Sequence, residues 1–249
     1  MYLNLMGPLE VTEGGSTLTP TAAKPRQVLA LLAASAGSMV STEQLIDELW
    51  PEGPPRSAKT TMQTYVYHLR QVLSRSKEAA RGRKILATCP AGYILTVPRE
   101  NVDVFRFLQI MADGREALRR GDAFQASDLF RSALSLWRGS MLADVSAGPR
   151  LQGHVAFFEE QRIEALSLRI EIDLETGRHH EVIAELRSLT KTHHLHEWVH
   201  IRLMQALHRS GRRGEALDTY QKLRRLLGDE LGLEPSVEAI QLQQEILVS

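Results

Sequence analysis

Apolar and polar positions change their period along the chain, and the changes mark elements. In YLNLMGPLEV, Leu3 and Leu5, then Leu9 and Val11, alternate with other residues at period two, which predicts strands. Gly14-Gly15 supplies a turn, and STLTP returns as a second strand. From Lys24 to Ala36 the period becomes helical: Val28, Leu29, Leu31 and Leu32 form an apolar stripe, and Gly37 is a stop. SMV is a short extended piece. Ser41 and Gln44 then form an S-x-x-Q capping box opening a helix with Leu45, Ile46 and Leu49 on one side. Trp50-Pro51 ends it, because a residue before proline is pushed out of the helical region. EGPPR is a stiff loop, and Ser57 is an N-cap for a helix running to about Ser74. RSKEAARGR reads as a polar, basic loop. Ile85 to Val97 reads as a β-hairpin around a CPAG turn.

From Val102 onward every segment reads as helix. GDAFQASDLFRSAL, GRHHEVIAELRSLT and GRRGEALDTYQKLR each open on a glycine, Gly121, Gly177 and Gly211. Each then places apolar residues in one phase: Ala126, Phe130 and Ala133; Val182, Leu186 and Leu189; Ala216, Tyr220 and Leu223. The i, i+4, i+7 spacing puts each trio on one helix face. Gly177 and Gly211 are 34 apart, the tetratricopeptide period, whereas Gly121 and Gly177 are 56 apart, so the array is interrupted. Stacked helix pairs of this kind leave a groove for partners; a non-repetitive helical bundle is the alternative. The boundary falls near Asn101, giving a mixed unit over 1–100 and an all-helical unit over 101–249.

Charge sharpens one stretch. The chain's formal net charge is zero, yet Pro51 to Lys84 holds eight bases against two acids, while Asn101 onward holds 19 bases against 22 acids. The local excess suggests a segment facing a polyanion, or a solvated surface that happens to be basic. On the helix after Ser57, Met62, Val66, Leu69 and Leu73 stack on one face, with Tyr65 and Val72 beside them. The opposite face carries Thr60, Gln63, Thr64, Tyr67, Arg70 and Gln71, and no carboxylate occurs between Lys59 and Lys77. A solvated face favours Glu–Lys pairs; hydroxyls, an amide, a phenol and bases instead donate to phosphates and read base edges. Two successive helices and a hairpin have the form of a winged helix-turn-helix, whose second helix enters the major groove.

The stretches LALLAASAGSMVSTEQLIDELWPEGPPRSAKTTMQTYVYHLRQVL and ILATCPAGYIL resemble the OmpR-type winged helix of the Streptomyces antibiotic regulatory proteins. ALSLWRGSMLADV, HEWVHIRLMQALHRSGRRGEAL and LGDELGLEPS resemble that family's bacterial transcriptional activator domain. The implied architecture is an α+β winged helix-turn-helix domain followed by an all-α tetratricopeptide-like domain. No nucleotide-binding ATPase part or receiver domain is expected. The resemblance implies an activator of secondary-metabolite genes that binds direct repeats near the −35 region, side by side with further copies. It would recruit RNA polymerase holoenzyme through sigma factor region 4, the alpha C-terminal domain and the beta flap. By position in the motif, Thr60, Thr61, Gln63, Thr64, Tyr67 and His68 would face the major groove or its edges. Lys59 and Arg70 would hold phosphates. Arg83, Lys84 and Thr88 of the hairpin, with Cys89 nearby, would lie along the minor groove or backbone. Tyr67 and His68 stand where many winged-helix relatives carry small or basic residues.

Other classes fit less well. The longest apolar run, Val28 to Ala36, is far short of a membrane span, and MYLNLMGPLEV lacks the basic start of a signal peptide. Cys89 is the only cysteine, which fits a reducing cytoplasm; the resemblance implies association with the nucleoid there. HEWVH, His196 to His200, spells H-E-x-x-H, the zinc-protease motif. Catalytic zinc needs a third ligand and an open position, and the residues after His200, IRLMQALHRSG, supply no extension. No phosphate loop or nucleophile elbow is present, so no cofactor, metal or enzymatic activity is expected. The competing reading is a protein-interaction adaptor whose winged helix binds no DNA; the basic, acid-free segment speaks against it.

Overall fold

The computed structural model describes residues 1–80, 82 and 84–248, without the side chains of Lys77 and Glu78. The chain packs as two compact units, residues 1–120 with 128–166, and residues 121–127 with 167–249.

The first unit opens with an antiparallel sheet of β1 (Tyr2–Asn4), β2 (Glu10–Glu13) and β3 (Ser16–Thr17), in that order. Leu3 pairs with Val11, and Leu3, Leu5, Leu9 and Val11 are all buried, as period two requires. Helix α1 (Ala23–Ala34) follows, then β4 (Met39–Ser41), α2 (Thr42–Leu49) and α3 (Ala58–Leu73). Helix α1 is buried along its length from Gln27 to Ala34, not on a single stripe, because α2 and α3 both pack on it. The capping box of α2 is formed: Ser41 Oγ accepts the N–H of Gln44 at 3.1 Å, and Gln44 Oε1 accepts the N–H of Ser41 at 2.8 Å. Buried positions on α2 are Leu45, Glu48 and Leu49, while Ile46 is only half-buried. On α3 the inward face is Ala58, Met62, Val66, Leu69 and Leu73. Full burial of each of the larger ones stabilises by about 1.5–3 kcal/mol.

Two local expectations need correction. Ser57 precedes α3, but among the described residues its side chain accepts no backbone N–H of the helix; its Oγ receives the Thr61 hydroxyl instead, at 3.5 Å. The polar stretch after Ser74 is not all loop. It contains the one-turn helix α4 (Lys77–Ala80), started by Ser76 Oγ accepting the N–H of Ala79 at 3.1 Å. The hairpin of β5 (Leu86–Cys89) and β6 (Gly92–Leu95) then completes a second sheet in the order β4-β6-β5. Gly92 lies opposite Ser41, and a Cβ there would sit 2.0 Å from the Val40 carbonyl oxygen, so only glycine permits that pairing.

The first unit continues through α5 (Asp103–Arg119), part of α6 (Ala123–Leu134) and the start of α7 (Pro149–Glu175). Its compactness therefore does not stop at Asn101. Carboxylates tie the two sides of that position together. Asp103 Oδ2 accepts the N–H groups of Leu5 and Met6 at 2.7 and 2.8 Å. Asp144 accepts the Leu9 N–H at 2.8 Å and pairs with Arg26 of α1. Glu48, with no exposed surface, accepts the N–H groups of Gly148, Arg150 and Leu151 at 2.6, 2.9 and 3.2 Å. Leu142 donates to Leu5 and Gly7 carbonyls at 3.0 and 2.7 Å and is held at φ 52°, a left-handed conformation unusual for leucine.

The second unit is built from α8 (His179–Thr192), α9 (Glu197–Arg209), α10 (Arg213–Leu231) and α11 (Val237–Val248) with the end of α7 and residues 121–127. Gly121, Gly177 and Gly211 each follow a helix and have φ of 81°, 83° and 74°. They share a phase because each terminates the preceding helix in the left-handed region. Of the apolar trios, all members are buried except Leu189, which is half-buried.

Candidate nucleic-acid interface

Helix α3 separates its faces cleanly. On a 3.6-residue turn Tyr67 and Thr60 lie at the crest of the outer face, opposite the buried row. Gln63, Arg70 and Lys59 fall toward one edge, and Thr64, His68 and Thr61 toward the other. All of these are exposed except Thr61, which is half-buried. Tyr67 is 58% exposed, a large amount for an aromatic side chain on a helix whose other aromatic, Tyr65, stacks on Trp50 with ring centroids 6.4 Å apart. Tyr65 is therefore a packing residue. The Tyr67 and His68 rings meet edge to face at 5.8 Å, so the two hold one another at the surface. Thr64 donates its hydroxyl to the Thr60 carbonyl at 3.1 Å and keeps its oxygen lone pairs for an incoming donor. Gln63 is exposed, and its amide carries the donor and acceptor needed for bidentate pairing with an adenine edge.

Arg70 is placed differently from a free phosphate ligand. Its Nε and Nη2 donate to the Leu86 carbonyl of β5 at 3.2 and 3.1 Å, and Nη2 donates to Thr88 Oγ1 at 2.7 Å. The guanidinium also lies 5.9 Å from the Tyr93 ring centroid on β6. It thus fastens the hairpin to the edge of α3 through Nε and Nη2, bonds in which Nη1 takes no part. Thr88 is occupied as the acceptor in that link. Lys84 is exposed at the start of the hairpin. Arg83 lies outside the described residues. Lys59 is exposed in the first turn of α3, next to the exposed loop 51–57. The structure therefore brings Lys59, Thr60, Gln63, Thr64, Tyr67, His68 and Arg70 onto one convex helix surface, with the hairpin docked along its Arg70 edge.

The H-E-x-x-H residues do structural work elsewhere. His200 is buried, with Nε2 2.9 Å from the His194 carbonyl. Glu197 Oε2 accepts the Ser236 N–H at 2.7 Å, just before α11. Burial holds the His200 imidazole below its ordinary 6.5, against the contrary pull of the His194 carbonyl and Glu197. Among the described residues no group of three or more His, Cys, Asp or Glu is arranged to hold a metal ion.

Sequence reasoning missed Glu48, Asp103 and Asp144. One signal existed for Glu48: a carboxylate at i+3 from Leu45 and beside Leu49 sits on the apolar side of α2, where an unpaired charge is costly.

Comparisons with known proteins agree with this architecture. Residues 16–95 match the family model for the C-terminal region of transcriptional regulatory proteins, and residues 102–247 match the bacterial transcriptional activator domain. Regulatory protein DnrI of Streptomyces peucetius is 44% identical over 99% of this chain and 92% of its own length. Regulatory protein AfsR of Streptomyces griseus is 36% identical over 99% of this chain, which spans only 24% of that longer protein. Mycobacterium tuberculosis EmbR, solved in complex with a low-affinity phosphopeptide, superposes with a TM-score of 0.90 at 32% identity. That match covers 99% of this chain and 65% of EmbR. With both models matched in order over nearly the whole length, the chain belongs to the Streptomyces antibiotic regulatory protein family, an OmpR-type winged helix followed by a bacterial transcriptional activator domain.

Proposed function

We propose that this chain is a sequence-specific DNA-binding transcription activator of secondary-metabolite genes. It binds direct repeats near a −35 region and recruits RNA polymerase holoenzyme, without chemistry of its own. In this reading residues 1–100 form the DNA-binding domain and 101–249 the activator domain. The protein works in the cytoplasm on the nucleoid. The observation that carries the reading is the convex face of α3, where Thr60, Gln63, Thr64 and Tyr67 are exposed and no carboxylate intervenes. Such a face suits a groove lined by phosphates and base edges.

Gln63, Thr64, Tyr67 and His68 contact base edges or the thymine methyl and sugar, with Thr60 and Thr61 at the first turn. Lys59, Lys84, Arg83 and Nη1 of Arg70 contact phosphates, and Thr88 supports the hairpin beside the backbone. Head-to-tail copies on successive repeats account for cooperative binding, because a repeat one helical turn away presents the same DNA face. In the same reading the polymerase contacts are with sigma factor region 4, the alpha C-terminal domain and the beta flap.

The test is a footprint on promoters of the chain's own gene cluster, with and without polymerase, over a range of salt. Each phosphate contact steepens the salt dependence by about 0.9 in log–log slope. Protection of repeated sites with a steep slope is expected; salt-insensitive binding or none would refute the reading.

A further inference from the structure

The carboxylate of Glu48 has an unusual position for a helix-turn-helix residue. It lies on α2, the helix before α3, and is fully buried. Its Oε1 accepts the N–H of Gly148, and Oε2 accepts those of Arg150 and Leu151. Gly148 just precedes α7 and Arg150 and Leu151 lie in its first turn, where amides have no partner within their own helix. A carboxylate there also meets the positive end of the helix dipole. The back of Glu48 is held as well. Gln27 Nε2 of α1 donates to its carbonyl at 2.7 Å, and Lys24 Nζ donates to the Leu49 carbonyl at 2.7 Å and to Gln27 Oε1 at 3.2 Å. From the other side the fit is equally tight. A Cβ on Gly148 would lie 2.2 Å from the Glu48 carbonyl oxygen and 2.8 Å from its Oε1. Any side chain at position 148 would therefore have to displace Glu48.

We propose that Glu48 is a positioning residue: it locks the first turns of α7 onto the helices proposed to bind DNA, so that α3 and the start of α7 move as one rigid frame. Activation depends on that lock, whereas the binding of one DNA repeat by α3 does not. The physical reason is the directionality of the contact. Apolar packing by itself tolerates sliding, but a buried carboxylate shared by three amides has one low-energy pose. The activation half of this inference rests on the proposed function; the rigidity half stands without it.

The lock is cut from opposite sides by Glu48→Gln and Gly148→Ala in the full chain. Glu48→Gln keeps one acceptor oxygen and turns an NH₂ toward the amides; Gly148→Ala leaves the carboxylate intact and wedges it away. The first measurement needs no DNA. Spin labels at Gln71→Cys on α3 and Ala156→Cys on α7, both exposed positions, are placed in a Cys89→Ser background. A narrow distance distribution is expected for the parent and one at least twice as broad for both lock variants. An unchanged distribution overturns the lock, whatever the chain does on DNA.

The second measurement pairs single-repeat DNA affinity with in vitro transcription by polymerase holoenzyme. Both variants are expected to bind one repeat within threefold of the parent while transcription falls at least tenfold. Unchanged transcription, or affinity and transcription falling together, overturns the role in activation. A parent chain that binds no repeat refutes the proposed function and leaves the spin-label result to decide the lock.

Discussion

The outer face of α3 and the carboxylate seam use similar polar groups under opposite conditions. On α3, Thr60, Gln63, Tyr67 and His68 keep most of their hydrogen-bonding capacity open to solvent. In the seam, Glu48 and Asp103 are buried; both Glu48 oxygens and Asp103 Oδ2 accept backbone amides of a distant segment, while Asp103 Oδ1 is buried without a partner. A polar group in water costs little to leave unpaired and is therefore available to a partner. A buried one is costly unless matched internally, and where it is matched the bonds fix geometry. In the proposed function the open polar groups of α3 would serve recognition, whereas the buried carboxylates fix the register of distant segments.

The sharpest way to break that contrast is at Asp103. Asp103→Ala removes the acceptor for two buried amides and is expected to lower unfolding free energy by about 2–4 kcal/mol, read by denaturant melts. Asp103→Asn keeps an acceptor oxygen. Burial holds the Asp103 carboxyl above its ordinary 3.8, against the pull of the Met6 and Leu5 amides and of Arg138. Its charged form is therefore disfavoured in the folded protein. The folded state keeps the proton longer than the unfolded one, so stability from this group falls as pH rises through the window above 3.8. Asp103→Asn should then sit within about 1 kcal/mol of the parent near neutral pH. Equal losses for both substitutions would mean the charge itself, not the acceptor, holds the seam.

At the surface the expected changes are in selectivity, not stability. Gln63→Ala should leave the melting curve in place and cost about 1–3 kcal/mol of discrimination at one base position, measured by binding to a panel of single-base variants. A destabilised fold with unchanged selectivity would erase the distinction between the two regions. Arg70 bridges them, because it is exposed yet bonded to β5. Arg70→Ala is expected to weaken binding to all sequences several-fold and to remove protection by the hairpin while protection by α3 persists. Arg70→Lys keeps the charge but lacks the two-pronged grip on Leu86 and Thr88, so it should restore affinity only partly. Full rescue by lysine would show that charge alone matters there.

The smallest effect concerns the second unit. His200 is kept neutral by burial, with its folded value below the ordinary 6.5. The unfolded chain takes up the proton first as pH falls, so stability is present above 6.5 and is lost as pH drops from there toward the folded value. The slope is at most about 1.4 kcal/mol per pH unit. His200→Gln should flatten the melting profile between neutral and mildly acidic pH. An unchanged profile would assign the acid sensitivity to His154 or His179, which burial shifts in the same direction.

Much of this was readable from residue order. The strands of Leu3 and Val11, the Ser41–Gln44 capping box, the two faces of α3 and the shared phase of Gly121, Gly177 and Gly211 all rest on spacing within one element. Spacing is local, and so local chemistry was enough. Ser57 and the turn of α4 went otherwise because a cap depends on which backbone angles the neighbouring loop imposes. The residue type and helix edge of Arg70 suit a phosphate ligand, but its anchoring on the hairpin is not legible in the sequence. Nothing in the sequence states that the Leu86 carbonyl and Thr88 hydroxyl lie within its reach.

Residue order by itself determined the family, the order of winged helix and helical repeats, and which side of α3 faces outward. Periodicity and capping act over a few residues, and they need no knowledge of what is far along the chain. Tertiary structure alone decided that Glu48 meets Gly148, that Asp103 meets Leu5, and that the first compact unit runs past Asn101. Those contacts join residues about a hundred positions apart. Their identity follows from the cost of burying an unpaired charge, which is known only once the chain has closed around it.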